Sequence, residues 1–372
     1  MAGPFWRSRW VAWRNALLSS PGFQRWAAEF PLTRPVAHRQ ADKVFDLVAG
    51  FVYAQVLSAC IAVRLFDHLA AGPQSTAALA TATDIHSGSL KVLLAAAASI
   101  GLVERLGPDG YVLGPLGAAL RGNAGLGEMI AHHRHFYEDL ADPVALLRSG
   151  GGAGALAAYW PYARAADPDS ASPAAVSPYS ALMAASQPMI AVDVLHAYPL
   201  GRHRRVMDVG GGEGAFLLAV AGQAPSLEVV LFDLPAVAAR AVERFTAAGL
   251  GARATTASGD FLKDELPQGA DAITLIRVLH DHDDAGVRAI LASVRRALPK
   301  GGVIVVAEPM SRAPRADPMA DAYFGLYLFA MGRGRVRQPA EYKQYLAEAG
   351  FRRPRSLPAR NPMLVQVVTA QA

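Results

Sequence analysis

Arg205-Val206-Met207-Asp208-Val209-Gly210-Gly211-Gly212-Glu213-Gly214 is the stretch on which the fold of this chain turns. A short apolar run ends in an acid, breaks into glycines and passes straight into the apolar helical pattern Ala215–Val220. That order predicts a buried strand, a tight turn and the start of a helix. Glycine is needed where backbone approaches a ligand closely or where φ is positive. The helix end adds unpaired N–H donors and a partial positive charge. Such a turn grips a nucleotide-like cofactor, and the glycines alone do not say which.

Two cofactors compete. Gly210, Gly212 and Ala215 satisfy the dinucleotide pattern, with Asp233 at a suitable separation for a ribose hydroxyl, which would make the chain an NAD-linked oxidoreductase. Asp208, two residues before the first glycine, argues for the other cofactor. A carboxylate there repels a pyrophosphate and suits a cationic amino-acid head, which S-adenosyl-L-methionine carries as an α-ammonium and a sulfonium. The following segments agree. Val229–Phe232 is a second apolar strand ending at Asp233, placed to take two ribose hydroxyls. Thr255–Ser258 lead to Asp260, an acceptor for the adenine amino group, and to Phe261, which can line the ring. Ala272–Ile276 is a fourth strand, and it runs out into Arg277, His280 and Asp281.

On DVGGGEG (208–214), FDLP (232–235), GDF (259–261), LHDHDD (279–284) and RQPAEYKQYLAEAGF (337–351), the chain resembles the plant-type small-molecule O-methyltransferases. The resemblance runs from about residue 45 to the C-terminus. It implies an α/β fold: a Rossmann-like S-adenosylmethionine-dependent methyltransferase domain preceded by a mainly helical, winged-helix dimerisation domain. It also implies a homodimer and a reaction that needs no metal. Asp208, Gly210, Gly212, Asp233, Leu234, Asp260, Phe261 and Arg277 become the cofactor-side candidates. His280 becomes the general base, beside Asp281, with Glu308 after the strand Val303–Ala307 as the carboxylate that orients it. A base with ordinary pKa near neutrality suits the task.

The pattern is departed from twice. The family's second supporting glutamate is missing from Gly332-Arg333-Gly334-Arg335-Val336-Arg337-Gln338, where Gly334 or Val336 replaces it depending on alignment. His282 stands where relatives usually place a tryptophan against the adenine. A less polar acceptor site follows from the first change. The aromatic helix Met319–Met331 lies where the acceptor is expected, although ordinary core is its plainer reading. Within the family the chain is most similar to bacterial O-methyltransferases of carotenoid synthesis. That resemblance implies a lipophilic substrate, an acyclic carotenoid methylated at a tertiary 1-hydroxyl, and a cytoplasmic enzyme peripheral on the inner membrane. A phenol or polyketide hydroxyl is the alternative acceptor.

Length and composition fit two domains. The chain has 372 residues, 52% hydrophobic and 18% charged, enough for a sizeable core. The boundaries expected are 1–40 for an N-terminal segment, 41–125 for the dimerisation domain, 126–200 for linker helices and 201–372 for the methyltransferase domain. One cysteine, Cys60, excludes a disulfide framework and any zinc site built on several cysteines, and its apolar surroundings mark a core thiol. The net charge of +5 admits nucleic acid or an anionic membrane as partner, but the middle of the chain has no dense Lys/Arg run with interleaved aromatics, so nucleic acid is not expected. Residues 76–120 read as a winged helix, but its second helix, Ser89–Ser99, has almost no polar side chains to read base edges, so a transcription factor is rejected.

Four of the five tryptophans fall in the first 26 residues. Trp6, Trp10, Trp13 and Leu17 share one helical face, flanked by Arg7, Arg9 and Arg14. This is the pattern of an interfacial helix, or of an arm packed on a partner subunit. The apolar run Leu47–Val63 is read as a core or subunit-interface helix, being at the short limit for a membrane span. His132, His133 and His135 have the wrong spacing for a helical metal site and suit a solvated or pocket-lining helix. Gly150–Gly154 and Asp167–Pro178 read as loops, and Ala181–His196, with Met183 and Met189, as a helix.

Overall fold

A computed structural model of the chain describes residues 4–159, 187–312, 318–361 and 364–372. The expected loop Asp167–Pro178, Met183 and the first turn of the helix expected at Ala181–His196 lie outside the described residues. The molecule divides between Arg121 and Gly122 into two compact units.

In the first unit the strands β1 (Gln74–Ser75), β2 (Val103–Leu106) and β3 (Gly110–Leu113) form a small antiparallel sheet in the order β1-β3-β2. The helices Thr76–Thr83 and Ser87–Ser99 precede its hairpin, as the winged-helix reading expects. The Ser75 hydroxyl accepts from the Ala78 amide at 3.1 Å and starts the first of them. Leu90 and Leu94, four residues apart on one face, bury fully against Leu65, Leu79 and Cys60. Burial pushes the Cys60 thiol up to about 11, so it is an inert core group.

Helix Arg34–Ala62 feeds this core only through its last turns, where Val56, Leu57, Cys60 and Ile61 pack. Earlier along the same helix Phe45, Leu47, Val48 and Phe51 are exposed. The core reading therefore holds for one end of the helix, and the rest presents an apolar face that is exposed among the described residues. By length and composition alone the helix could cross a membrane. The segment before it forms two helices, Pro4–Leu18 and Pro21–Glu29, on which Trp6, Trp10, Trp13 and Trp26 are each at least half exposed.

The second unit is built on seven strands: β4 (Arg205–Val209), β5 (Glu228–Asp233), β6 (Ala254–Ser258), β7 (Ala272–Ile276), β8 (Val303–Glu308), β9 (Arg352–Leu357) and β10 (Gln366–Gln371). Their order is β6-β5-β4-β7-β8-β10-β9. The first five run parallel, and β10 is antiparallel to both of its neighbours. Alternation along the strands feeds two cores. Met207, Val209, Val230 and Phe232 pack toward helices Asp284–Ala297 and Pro339–Glu348. Val206, Val229 and Leu231 pack on the other face, toward helices 187–197, Ala215–Gln223 and Pro235–Ala247. Such double burial explains why these strands read as continuous apolar runs. The strand order reverses between β4 and β7, which opens a crevice at their carboxyl ends.

Candidate active site

The glycine turn leaves the end of β4 at this crevice. Gly210 donates its amide to the Phe232 carbonyl at 2.8 Å, tying the turn to β5. Gly212, at φ 62°, gives its amide to Asp233 Oδ2 at 2.7 Å, and a Cβ built on it would meet nothing within 4 Å. The turn thus borders open space at a backbone conformation that glycine supplies without strain. Asp233 also accepts from the Leu234 amide at 2.8 Å. Burial raises its carboxyl to about 6, against the opposing pull of those two amides.

Asp208 is 1% exposed, with Oδ1 accepting from the Thr274 hydroxyl at 2.6 Å. Its Oδ2 has no hydrogen-bond partner among the described residues and lies against Gly211, where a Cβ would collide with it. Burial, reinforced by the nearby Asp233, raises Asp208 to about 7. The acid thus lies directly against the glycine turn.

Asp260 and Phe261 follow β6 on the same side of the crevice. Asp260 Oδ1 accepts from the Leu262 amide at 2.9 Å, and Oδ2 lies 3.2 Å from Lys263 Nζ. Phe261 meets the His282 ring edge-on, 5.5 Å between centroids. Burial lowers His282 to about 4, so it is a neutral ring at pH 7 and an aromatic wall in place of the expected tryptophan. Arg277, at φ 59°, ends β7 and donates its amide to Ala307 at 2.8 Å. Its charge bears on His132, Tyr323, His280 and Asp281.

His280 and Glu308 meet at 2.5 Å through Nδ1 and Oε2, 28 residues apart in sequence and both buried. The second oxygen, Oε1, accepts from the amides of Val278 and Leu279 at 2.9 and 2.6 Å. Asp281 Oδ1 lies 3.2 Å from His280 Nε2. Desolvation alone would depress the imidazole, but the carboxylates of Asp281 and Glu308 outweigh it and raise His280 above its ordinary value. Asp281 is itself raised by burial.

The sequence reading missed what holds this loop from behind. Arg337 is completely buried. It donates to the carbonyls of Leu279 and His282 at 3.0 and 2.7 Å and to Asp284 Oδ1 at 2.7 Å. The Arg335 amide donates to the His280 carbonyl at 2.9 Å, and its guanidinium also grips Asp284, at 3.1 Å. Asp284 is accordingly held well below the usual carboxylate range, chiefly by Arg335. Packing distinguishes the surroundings of Gly334 and Val336. Gly334, at φ 75°, presses on the His280 backbone, where any Cβ would run into the carbonyl oxygen. Val336 packs against the apolar cluster that contains Phe136, Tyr327 and Leu328.

That wall contains Tyr323, Phe324 and Tyr327. The expected continuous helix Met319–Met331 is interrupted, running as a π-helical stretch Pro318–Phe324 and then an α-helix Gly325–Met331. Phe324 lies edge-on to His280, 6.4 Å between ring centroids. His132 Nε2 pairs with the Tyr327 hydroxyl at 3.0 Å and His133 Nε2 with the Tyr323 hydroxyl at 2.7 Å. Burial lowers both imidazoles, His132 to about 4. These histidines are neutral at pH 7 and paired with the two tyrosines.

Comparison with known proteins bears on this arrangement. Residues 137–352 match an O-methyltransferase domain and residues 45–122 an O-methyltransferase dimerisation domain. The chain belongs to the O-methyltransferase family. Demethylspheroidene O-methyltransferase of Cereibacter sphaeroides is 43% identical over 354 residues, covering 95% of this chain and 93% of that protein. The Rhodobacter capsulatus protein of the same name is 42% identical, covering 92% and 84%. Among solved structures, an O-methyltransferase from neocarzinostatin biosynthesis, in complex with S-adenosylmethionine and 2-hydroxy-5-methyl naphthoic acid, superposes with a TM-score of 0.65 at 27% identity, covering 86% and 95%.

As a member of this family, the O-methyltransferase depends on S-adenosylmethionine. Its own residues fit that cofactor: an open glycine turn at a helix start, a ribose-height carboxylate at the end of β5 and an aromatic wall beyond β6. The dimerisation domain supports a homodimer and covers most of the exposed apolar stretch of helix Arg34–Ala62. The packing of Gly334 yields a direct expectation. Gly334→Ala should lower stability by more than the roughly 1 kcal/mol that a positive φ costs an alanine, because the methyl group must also displace the His280 carbonyl. Urea unfolding measures this, and an unchanged midpoint would mean that the loop does not rest on Gly334.

Proposed function

We propose that this O-methyltransferase methylates a tertiary hydroxyl of an acyclic carotenoid, with His280 as general base. The observation that carries the reading is the buried His280–Glu308 pair beside an aromatic, apolar wall. The names of the two relatives above 40% identity support the acceptor class. When bound, S-adenosylmethionine supplies a methyl group on an electrophilic sulfonium. Asp233 and the Gly212 turn hold its ribose side, Leu234, Asp260 and Phe261 its adenine side, and Asp208 keeps the turn in shape.

Glu308 fixes the imidazole tautomer by accepting from Nδ1–H, which leaves Nε2 as the basic nitrogen. His280 Nε2 would take the acceptor's hydroxyl proton while the oxygen bonds the methyl carbon and the methyl–sulfur bond breaks, its electron pair staying on the departing thioether. Glu308 and Asp281 then stabilise the imidazolium. A tertiary alkanol is much less acidic than a phenol, so a base made stronger than ordinary histidine by two carboxylates suits it. The apolar wall, with Val336 packed against the same cluster, excludes water from the proton transfer. One feature favours a phenolic or polyketide acceptor instead: the Tyr323–His133 and Tyr327–His132 pairs, which could bind a second polar group.

The N-terminal helices suit collection of such a substrate from a bilayer. Arg7, Arg9, Arg14 and Arg25 precede the first acid, Glu29, and border the exposed tryptophans. The Arg14 guanidinium lies 5.2 Å over the Trp10 ring. Indoles at headgroup depth with arginines reaching phosphates make an interfacial contact, each charge worth about 1 kcal/mol near an anionic surface.

Labelled methyl transfer to hydroxylated acyclic carotenoids, run against a panel of phenols, tests the acceptor; turnover confined to phenols would replace the carotenoid reading. His280→Ala should lower the rate by about 10²–10⁴ while leaving cofactor affinity nearly intact. A base must be neutral to act, and this imidazole is raised above 6.5. Parental activity should therefore fall as pH drops through a midpoint above that value, and Asp281→Asn should move the midpoint down. A midpoint unmoved by Asp281→Asn would remove that carboxylate from the site.

Asp233→Ala leaves ribose hydroxyls unpaired and should cost roughly 1–3 kcal/mol of cofactor binding. In the parent, affinity should weaken as pH falls through about 6, where Asp233 takes up a proton. Calorimetric titration reads both effects, and equal affinities would reassign the ribose contact. Deleting residues 1–30 should weaken sedimentation with anionic liposomes and slow methylation of membrane-embedded carotenoid more than of detergent-solubilised carotenoid. Loss of the dimer with liposome binding unaltered would make the segment an assembly arm.

A further inference from the structure

A cavity of about 290 Å³ lies at the other end of the sheet from His280, lined by Tyr198, Arg202, His203, Arg353, Arg355 and Thr369. Arg202 and His203 immediately precede β4, β8 begins at its rim with Val303, and the antiparallel β10 ends there with Gln371. This is the amino-terminal edge of the parallel strands, whereas the glycine turn and His280 occupy the carboxyl edge. The cavity is therefore separate from the methyl-transfer site.

Its charge is one-sided. None of the guanidiniums of Arg202, Arg353 and Arg355 has a carboxylate within ion-pair distance among the described residues. The Arg202 guanidinium lies 4.1 Å over the Tyr198 ring, which orients the fork without neutralising it. The acid beside the cavity is Asp271, 3.4 Å from His203 Nδ1. It is already engaged by the amides of Arg204 and Arg205, the closer at 2.9 Å.

The backbone is also unusual here. Arg353 has φ 53°, inside an edge strand, where β9 and β10 slip register between Thr369 and Gln371. A left-handed arginine is strained, and bulges of this kind re-aim side chains. Here the bulge brings Arg353 to the same cavity as Arg355. Strain that gathers like charges stabilises nothing within the chain itself. Planar guanidinium forks converging without carboxylates match the oxygens of a phosphoryl group, which they bind in bidentate fashion. The volume is at the small end of the roughly 300–1,000 Å³ typical of ligand sites, so it suits a phosphate, a pyrophosphate or a phosphoryl headgroup.

We propose that this pocket binds a phosphate-bearing anion through Arg202, Arg353 and Arg355. Free phosphate and a lipid headgroup share that chemistry, and the two arms of the experiment separate them. In the first arm, inorganic pyrophosphate is titrated calorimetrically into the full-length parent and into Arg353→Gln/Arg355→Gln. Arg295→Gln/Arg296→Gln, which removes equal charge from helix Asp284–Ala297, serves as control. Saturable binding to parent and control, weakened about tenfold or more in the pocket variant, is expected from the loss of two charge-assisted contacts. In the second arm, the same proteins are sedimented with phosphatidylcholine vesicles containing or lacking phosphatidylglycerol, with pyrophosphate as competitor. Binding that pyrophosphate displaces, and that the pocket variant loses, assigns the site to a headgroup. Pyrophosphate binding without a vesicle difference assigns it to a free anion. No saturable binding to the parent, or equal weakening in pocket variant and control, overturns the proposal.

Discussion

Glu308 carries a carboxylate with no exposure to water, and the geometry around the site follows from the need to satisfy it. A buried charge left unpaired costs several kcal/mol, so its oxygens must find donors. Two of them are the amides of Val278 and Leu279, and the third is His280 Nδ1. Meeting all three requires the chain to turn sharply after β7, with Arg277 held in a left-handed conformation that arginine rarely adopts. The strain at Arg277 and the orientation of the imidazole are therefore two consequences of one acid.

The loop is held from both sides by opposite chemistry. On one side Glu308 accepts from its amides. On the other, Arg337 and the Arg335 amide donate to its carbonyls. Arg337 can be buried because Asp284, at the start of the next helix, balances its charge at 2.7 Å. A histidine whose flanking peptide groups are bonded on both sides has little room to rotate, which is the preorganisation that the proposed role of His280 as base requires. Gly334 belongs to the same device, since only a residue without a side chain lets the strap approach the His280 carbonyl.

Away from this loop, the first unit carries exposed apolar surface. Helix Arg34–Ala62 and the tryptophan helices before it expose more apolar surface than a solitary soluble chain usually tolerates. The dimerisation domain accounts for part of that surface. Arginines lie among the exposed tryptophans of the remaining surface.

Much of this was legible in the sequence because it is local. Strand, glycine turn and helix follow one another within twenty residues of Arg205, and apolar runs bounded by acids marked the ends of β4 and β5. The winged-helix hairpin was readable for the same reason, from Gly107-Pro108-Asp109-Gly110 between two short strands. Resemblance added the pairing of His280 with Glu308, which no local pattern contains. What the tertiary structure alone decided involves residues far apart or close to a backbone they do not adjoin. His132 meets Tyr327 across 195 residues, a partner that histidine spacing could not name. Asp208 proved to be buried against its turn, because solvent access depends on what packs above a strand end. Gly334 and Val336 were equivalent in sequence and became distinct only when the strap met the His280 carbonyl. The sequence by itself determined the order of elements and the residue types at the site. Packing decided which atoms touch, because hydrophobic periodicity specifies a buried face but not its neighbour.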